Sequence, residues 1–181
     1  MTADHPPLPP ARPWASMQSR DRLCYTLGVG FGTGLAPKAA GTVASFAILA
    51  LMPMWVWMGF WPSVGVMLLM SIVGIPICGR TADLMGVHDD GRIVWDEFAG
   101  QSIALLPLLY LPSTLGWNLG TVVNVLIGFG LFRLFDIWKP WPIRYLDQHV
   151  HGGLGIMADD VLAGVIAALL FIPWLWFGIA F

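Results

Sequence analysis

The stretch GTVASFAILALMPMWVWMGFWPSVGVMLLMSIVGIPICG, residues 41–79, contains no charged side chain. A helix that crosses a bilayer needs about 20 mostly apolar residues, so this stretch has room for two. Pro53 and Pro62 interrupt it, and the corner Phe60-Trp61-Pro62-Ser63 divides it into spans at 42–60 and 62–79, a helical hairpin. Residues 98–132 and 161–181 are equally free of charge. A turn in the 111–116 stretch, Pro112-Ser113-Thr114-Leu115-Gly116, separates 98–111 from 117–135. The 98–111 segment reaches only about 21 Å at 1.5 Å per residue, so it either begins below the headgroups or does not fully span. The expectation is an all-α polytopic membrane protein with about five hydrophobic helices, four to five of them spanning.

Composition agrees. Of 181 residues, 57% are hydrophobic and 11% charged, where soluble domains carry about a quarter charged residues. An ordinary soluble enzyme and a basic nucleic-acid binder are both excluded. Nine Lys and Arg stand against eleven Asp and Glu, a net charge of −2, so electrostatic function has to be local. All of these charges fall within residues 4–38, 80–97 and 133–160, segments that the hairpins return to one side of the membrane. Basic loops mark the cytoplasmic side, and Arg12, Arg20, Arg22, Arg80, Arg92, Lys139 and Arg144 assign it. The N-terminus is then inside and the C-terminus outside. Trp55, Trp57, Trp61, Trp117, Trp174 and Trp176 fall near the opposite span ends, where amphipathic rings favour the interface.

Residues 1–22 are polar and Pro-rich and read as a disordered tail with no cleaved signal peptide; residues 23–181 read as one membrane domain without internal repeats. Cys24 and Cys78 lack metal-ligand spacing and read as small apolar residues.

Two acidic pairs precede apolar runs, Asp96-Glu97 before Phe98 and Asp159-Asp160 before Val161. Helix capping accounts for one carboxylate in each; it accounts poorly for a doubled like charge at a membrane surface. A hard divalent cation accounts for both, since Mg²⁺ takes carboxylate oxygens, waters and substrate phosphate. Asp89 and Asp90 lie in a Gly-rich segment that also reads as a solvated turn. Arg133, Asp136 and Lys139 recur every three residues before Pro140, either as a salt-bridged helix end or as cations beside a metal-bound phosphate. The segment Gly28-Val29-Gly30-Phe31-Gly32-Thr33-Gly34, with Lys38 and Thr42 after it, could cradle phosphate, but its glycines match no nucleotide-binding fingerprint and helix packing explains them equally well. His88, His149 and His151 lack zinc spacing, and no serine-hydrolase elbow is present.

Four blocks together carry a specific likeness. They are Gly28-Val29-Gly30-Phe31-Gly32 with Gly41-Thr42, then Ile93-Val94-Trp95-Asp96-Glu97-Phe98-Ala99-Gly100, then Phe132-Arg133-Leu134-Phe135-Asp136-Ile137-Trp138-Lys139-Pro140-Trp141-Pro142-Ile143, and Val150-His151-Gly152-Gly153-Leu154-Gly155-Ile156-Met157-Ala158-Asp159-Asp160-Val161. Over about residues 28–164 the chain resembles the phosphatidylglycerophosphatase A family of bacterial inner-membrane lipid phosphatases. The resemblance implies Mg²⁺-dependent hydrolysis of phosphatidylglycerophosphate to phosphatidylglycerol and phosphate, on a phospholipid substrate in the bilayer, with the active site facing the cytoplasm. On that basis Asp96, Glu97, Asp159 and Asp160 are expected to hold Mg²⁺, with Asp89 as a further ligand or general acid. Thr42, Arg133 and Lys139 are expected to bind phosphate, and Asp136 to orient Lys139 or act as nucleophile. Two other readings fit less well. An alcohol phosphotransferase needs a longer Asp-Gly motif than Asp90-Gly91-Arg92 supplies, and a cation transporter needs mid-span charge that is absent here.

Overall fold

A computed structural model of the chain describes residues 11–87, 90–110 and 119–177, and every regular element within them is helical. α1 (Ser19–Gly28) leads through a 3₁₀ segment to α2 (Ala40–Ala47), which continues through a second 3₁₀ turn into α3 (Met52–Met58) as one broken crossing. α4 (Phe60–Met85) returns, followed by α5 (Trp95–Tyr110), α6 (Leu119–Trp138), the short α7 (Ile143–His149) and α8 (Gly152–Phe177). Ala40–Met58, Phe60–Met85, Leu119–Trp138 and Gly152–Phe177 are long and apolar enough to cross a membrane. Helices satisfy their own backbone groups, the requirement that hydrocarbon imposes on any lipid-facing segment.

Three boundaries differ from expectation for local reasons. The hairpin turns at Gly59, whose φ of 77° favours glycine, and Pro62 lies in the first turn of α4, where a missing N–H costs nothing. α4 runs six residues past 79, through Arg80 and Asp83. α8 begins nine residues before 161, so Asp159 and Asp160 lie about two turns inside the helix and cap nothing. The turn at residues 111–116 lies outside the described residues.

Regular structure among the described residues also occurs before residue 23. α1 starts at Ser19, and Asp21 is buried against α4, where it accepts a hydrogen bond from Arg80 Nε at 2.8 Å. Arg22 lies over the Trp14 ring. An ion pair and an aromatic contact hold residues that their polarity had suggested were free; residues 1–10 lie outside the described set.

α5 is the enclosed helix. Phe98 through Ser102, Ala104, Leu105 and Pro107 through Leu109 are all buried, although its sixteen residues reach only about 24 Å. Protein surrounds it, so its length need not match the lipid. Lipid offers no hydrophobic drive between helices, and small residues set their approach instead. A Cβ at Gly100 would lie 2.6 Å from the Asp160 carbonyl oxygen and from Phe132, and one at Gly164 would overlap the Gly100 carbonyl. Gly100 on α5 and Gly164 on α8 therefore mark a close crossing. Further along, Trp55, Met67, Leu105, Leu108, Phe171 and Leu175 fill one core cluster. Trp55 is 1% exposed and belongs to that core rather than to the interface, whereas Trp57 and Trp61 are largely exposed.

Candidate functional site

The glycine crossing determines where the acids meet. Asp96 precedes Gly100 by four residues and Asp160 precedes Gly164 by four, about one turn in each helix. Both helices leave the charged face in the same direction, so the turn before the crossing brings the acids together. Carboxylate oxygens of Asp96, Glu97 and Asp160 lie within 4.8 Å of one another. α2 closes a third side: Gly41 sits where any Cβ would overlap Glu97 Oε1 and come within 3.3 Å of Arg133 Nη1. The cluster opens into a cavity of about 350 Å³ at the charged end of the bundle, which Asp136, Lys139 and His151 also line.

Asp96 Oδ1, Glu97 Oε2 and Asp160 Oδ2 are buried and, among the described residues, have no hydrogen-bond partner. Unpaired buried carboxylate oxygens are costly, and three of them converging suit a hard cation by donor type and by number. Local charge points the same way. Six carboxylates, from Asp96, Glu97, Asp136, Asp147, Asp159 and Asp160, are gathered around the cavity with Lys139 and Arg133 as their cations.

The fourth expected metal ligand, Asp159, also lines the cavity and holds a cation with one oxygen, while its Oδ1 is buried and among the described residues has no hydrogen-bond partner. Asp159 Oδ2 accepts from Lys139 Nζ at 2.6 Å, and Asp147 Oδ1 accepts from the same ammonium at 2.5 Å. Lys139 follows the last residue of α6 with φ 45°, a left-handed conformation uncommon outside glycine, which ends the helix ahead of Pro140. It therefore leaves the face it was expected to share with Arg133 and Asp136. Burial lowers the Lys139 pKa, but the hydrogen-bonded carboxylates of Asp147 and Asp159 outweigh it and hold the group above its ordinary value. The ammonium is a fixed positive charge in the neutral range.

Asp136 does not orient Lys139. It pairs with Arg133 Nη1 at 2.6 Å, and that guanidinium also lies 3.8 Å from Glu97 Oε1 and donates to Ser45 Oγ at 3.4 Å. Thr42 and Arg133 do not line the cavity, so phosphate binding by them has no direct geometric support. Asp89 lies outside the described residues. The Gly-rich segment braces the start of α5, with Val94 N–H donating to Gly28 O at 2.8 Å, and Lys38 is exposed. Packing accounts for Gly28, Gly30 and Gly34, where a Cβ would overlap Thr81, Val94 and the Arg92 carbonyl, while Gly32 has φ 100° and open space around it.

Ser45 and Asp147 escaped the sequence reading. Ser45 is a lone hydroxyl in an apolar run, four residues after Gly41, and that spacing is its only signal. Asp147 reads as a solvated charge until α7 folds it back toward Lys139.

Residues 26–174 match the profile of the phosphatidylglycerophosphatase A family. The chain belongs to that family. Among its phosphatidylglycerophosphatase A relatives, the Escherichia coli K12 protein is 46% identical over 157 residues, covering 84% of each chain. The Haemophilus influenzae protein of the same name is 41% identical over 152 residues, 80% of this chain and 84% of its own. A provisionally named phosphatidylinositol-3-phosphatase from Bacteroides thetaiotaomicron is 34% identical over 162 residues, covering 85% and 94%. No solved structure matches the chain. In this phosphatidylglycerophosphatase A family member, the acid cluster, the Lys139 bridge and most of the bundle all fall within the matched residues.

Proposed function

We propose that the protein is a Mg²⁺-dependent phosphatidylglycerophosphatase of the bacterial inner membrane. It removes the terminal phosphate of phosphatidylglycerophosphate on the cytoplasmic side, giving phosphatidylglycerol and phosphate, the last step in making that lipid. The observation that carries this reading is the convergence of unpartnered Asp96, Glu97 and Asp160 oxygens on a cavity at the charged end of four membrane-crossing helices. A lipid phosphomonoester presents its scissile group at that depth. Family membership selects the lipid.

Asp96, Glu97 and Asp160 would hold the metal, which when bound supplies Lewis-acid polarisation of the phosphoryl oxygens. Lys139 presents its ammonium at the cavity wall and stabilises charge gathering on the equatorial oxygens. Asp159 and Asp147 keep that ammonium in place. Arg133 neutralises Asp136 and stands against Glu97, so its role is to position carboxylates. Asp136 and Asp160 line the same cavity. Asp136 is the carboxylate placed either to attack phosphorus or to orient a water.

The test is phosphate release from phosphatidylglycerophosphate by purified protein in detergent, with Mg²⁺ or with chelator, for wild type and Asp96→Asn. Release is expected to stop on chelation and to fall at least about a hundredfold in the variant. Release that survives chelation removes the metal, and no release under any metal removes the enzyme assignment.

A further inference from the structure

A second cavity, of about 430 Å³, lies beside the acidic one, and Lys139 is part of both walls. Its remaining lining includes Trp138, Trp141, Arg144 and Tyr145. Trp138 is the last residue of the α6 crossing, and the three rings are 63%, 82% and 55% exposed. Exposed Trp and Tyr at the end of a span sit at headgroup depth. Arg144 is exposed there and differs from the other cations of this region. Lys139 is held by two carboxylates and Arg133 by Asp136; among the described residues Arg144 has no carboxylate partner. A guanidinium with no carboxylate partner among the described residues, in a cavity it shares with exposed aromatic rings at headgroup depth, is free to take a phosphate oxygen.

The substrate class proposed above carries two phosphates. The terminal monoester is cleaved, and an internal phosphodiester on the lipid side is separated from it by one glycerol. Two adjoining cavities joined at Lys139 fit that order of groups. Resting on the proposed function, we infer that Arg144, with Trp138, Trp141 and Tyr145, forms a subsite for the internal phosphodiester of the lipid. The acid cluster takes the terminal phosphate. Arg144 is thereby a specificity-determining residue: it favours lipids that carry a phosphodiester inside their phosphomonoester over phosphatidic acid, whose only phosphate is the one to be cleaved.

The experiment compares wild type, Arg144→Gln and Arg144→Lys in mixed micelles on phosphatidylglycerophosphate and on phosphatidic acid. Phosphatidic acid is read as an inhibitor if it is not turned over. Arg144→Gln is expected to raise KM for phosphatidylglycerophosphate about tenfold, the loss of one charge-assisted contact, and to leave kcat within about twofold. The constant for phosphatidic acid stays unchanged, and Arg144→Lys recovers part of the loss. Equal weakening toward both lipids makes Arg144 a general surface attractor and overturns the subsite, as does an unchanged KM. Wild type that releases phosphate from neither lipid defeats the proposed function itself and takes the subsite with it, a result distinct from an active wild type with an indifferent variant.

Discussion

Adjacent residues on an α-helix project about 100° apart, and Asp159 and Asp160 show what this does to neighbouring charges. Asp160 turns toward Asp96 and Glu97, while Asp159 turns to Lys139. A sequence displays the pair but not its rotation: Asp96, Glu97 and Asp160 face a common point, while Asp159 holds a cation with Oδ2 and keeps Oδ1 buried beside the same cavity. The residue types were legible because doubled acids beside apolar runs demand a partner. Which partner each one finds depends on α7 and on the turn at Lys139, which no local pattern announces. Asp90 and Arg92 are simpler, since both side chains are close in sequence and make a two-point contact at 2.7 and 2.5 Å. Hydrogen bonds from Arg92 hold the Asp90 pKa below its ordinary 3.8, against a smaller opposing effect of burial. A carboxylate whose pKa is depressed by folding adds stability above its unfolded value and loses it as pH falls through the folded one. Arg92→Gln should therefore cost a few tenths of a kcal/mol, after solvent screening, from neutral pH down to about 3.8. The difference should close below that value, as read by thermal unfolding in detergent at a series of pH values. A gap that persists in stronger acid assigns the effect to something other than this pair.

Among the helices, the crossing at Gly100 and Gly164 sets the spacing of the acid cluster. Gly100→Ala places a methyl 2.6 Å from the Asp160 carbonyl and from Phe132, so α5 and α8 have to separate. The expected loss is about 1–3 kcal/mol of stability, and, if Mg²⁺ binds as proposed, a smaller rise in melting temperature on adding Mg²⁺ than in wild type. Gly130→Ala in α6 meets nothing within 4 Å and should be neutral or stabilising by up to about 1 kcal/mol. Equal behaviour of the two variants in thermal unfolding with and without Mg²⁺ would remove the crossing from the account of the site. The existence of these helices was legible in the uncharged windows; their ends were not. α4 continues through Arg80 and Asp83, and α8 starts at Gly152. A helix remains internally hydrogen-bonded as it enters the headgroup zone, where charges are tolerated. Charge marks the edge of the hydrocarbon, therefore, and not the end of the helix.

At the scale of the whole molecule, one end holds the acids and cations and the other is rimmed by exposed Trp57 and Trp61. If the charged end is cytoplasmic, the protein has an outside that carries almost no chemistry. A Cys24→Ser background keeps only buried Cys78 and provides the test. In that background Gln148→Cys should react with a membrane-impermeant maleimide only in inverted vesicles, and Trp57→Cys only in right-side-out cells. The reverse pattern would turn the molecule over and place its site away from cytoplasmic substrate. The enclosure of α5 has a further consequence, for biosynthesis. α5 carries Asp96, Glu97, Gln101 and Ser102 within two turns, and all four are polar groups that lipid would reject. It leaves the ribosome before α6 and α8, the helices that cover it. Its transfer into the membrane is expected to depend on helices made after it, so a later helix, α8, would decide whether an earlier one is inserted. A chain truncated before α8 would lose more than its C-terminus, leaving α5 an orphan for the quality-control proteases.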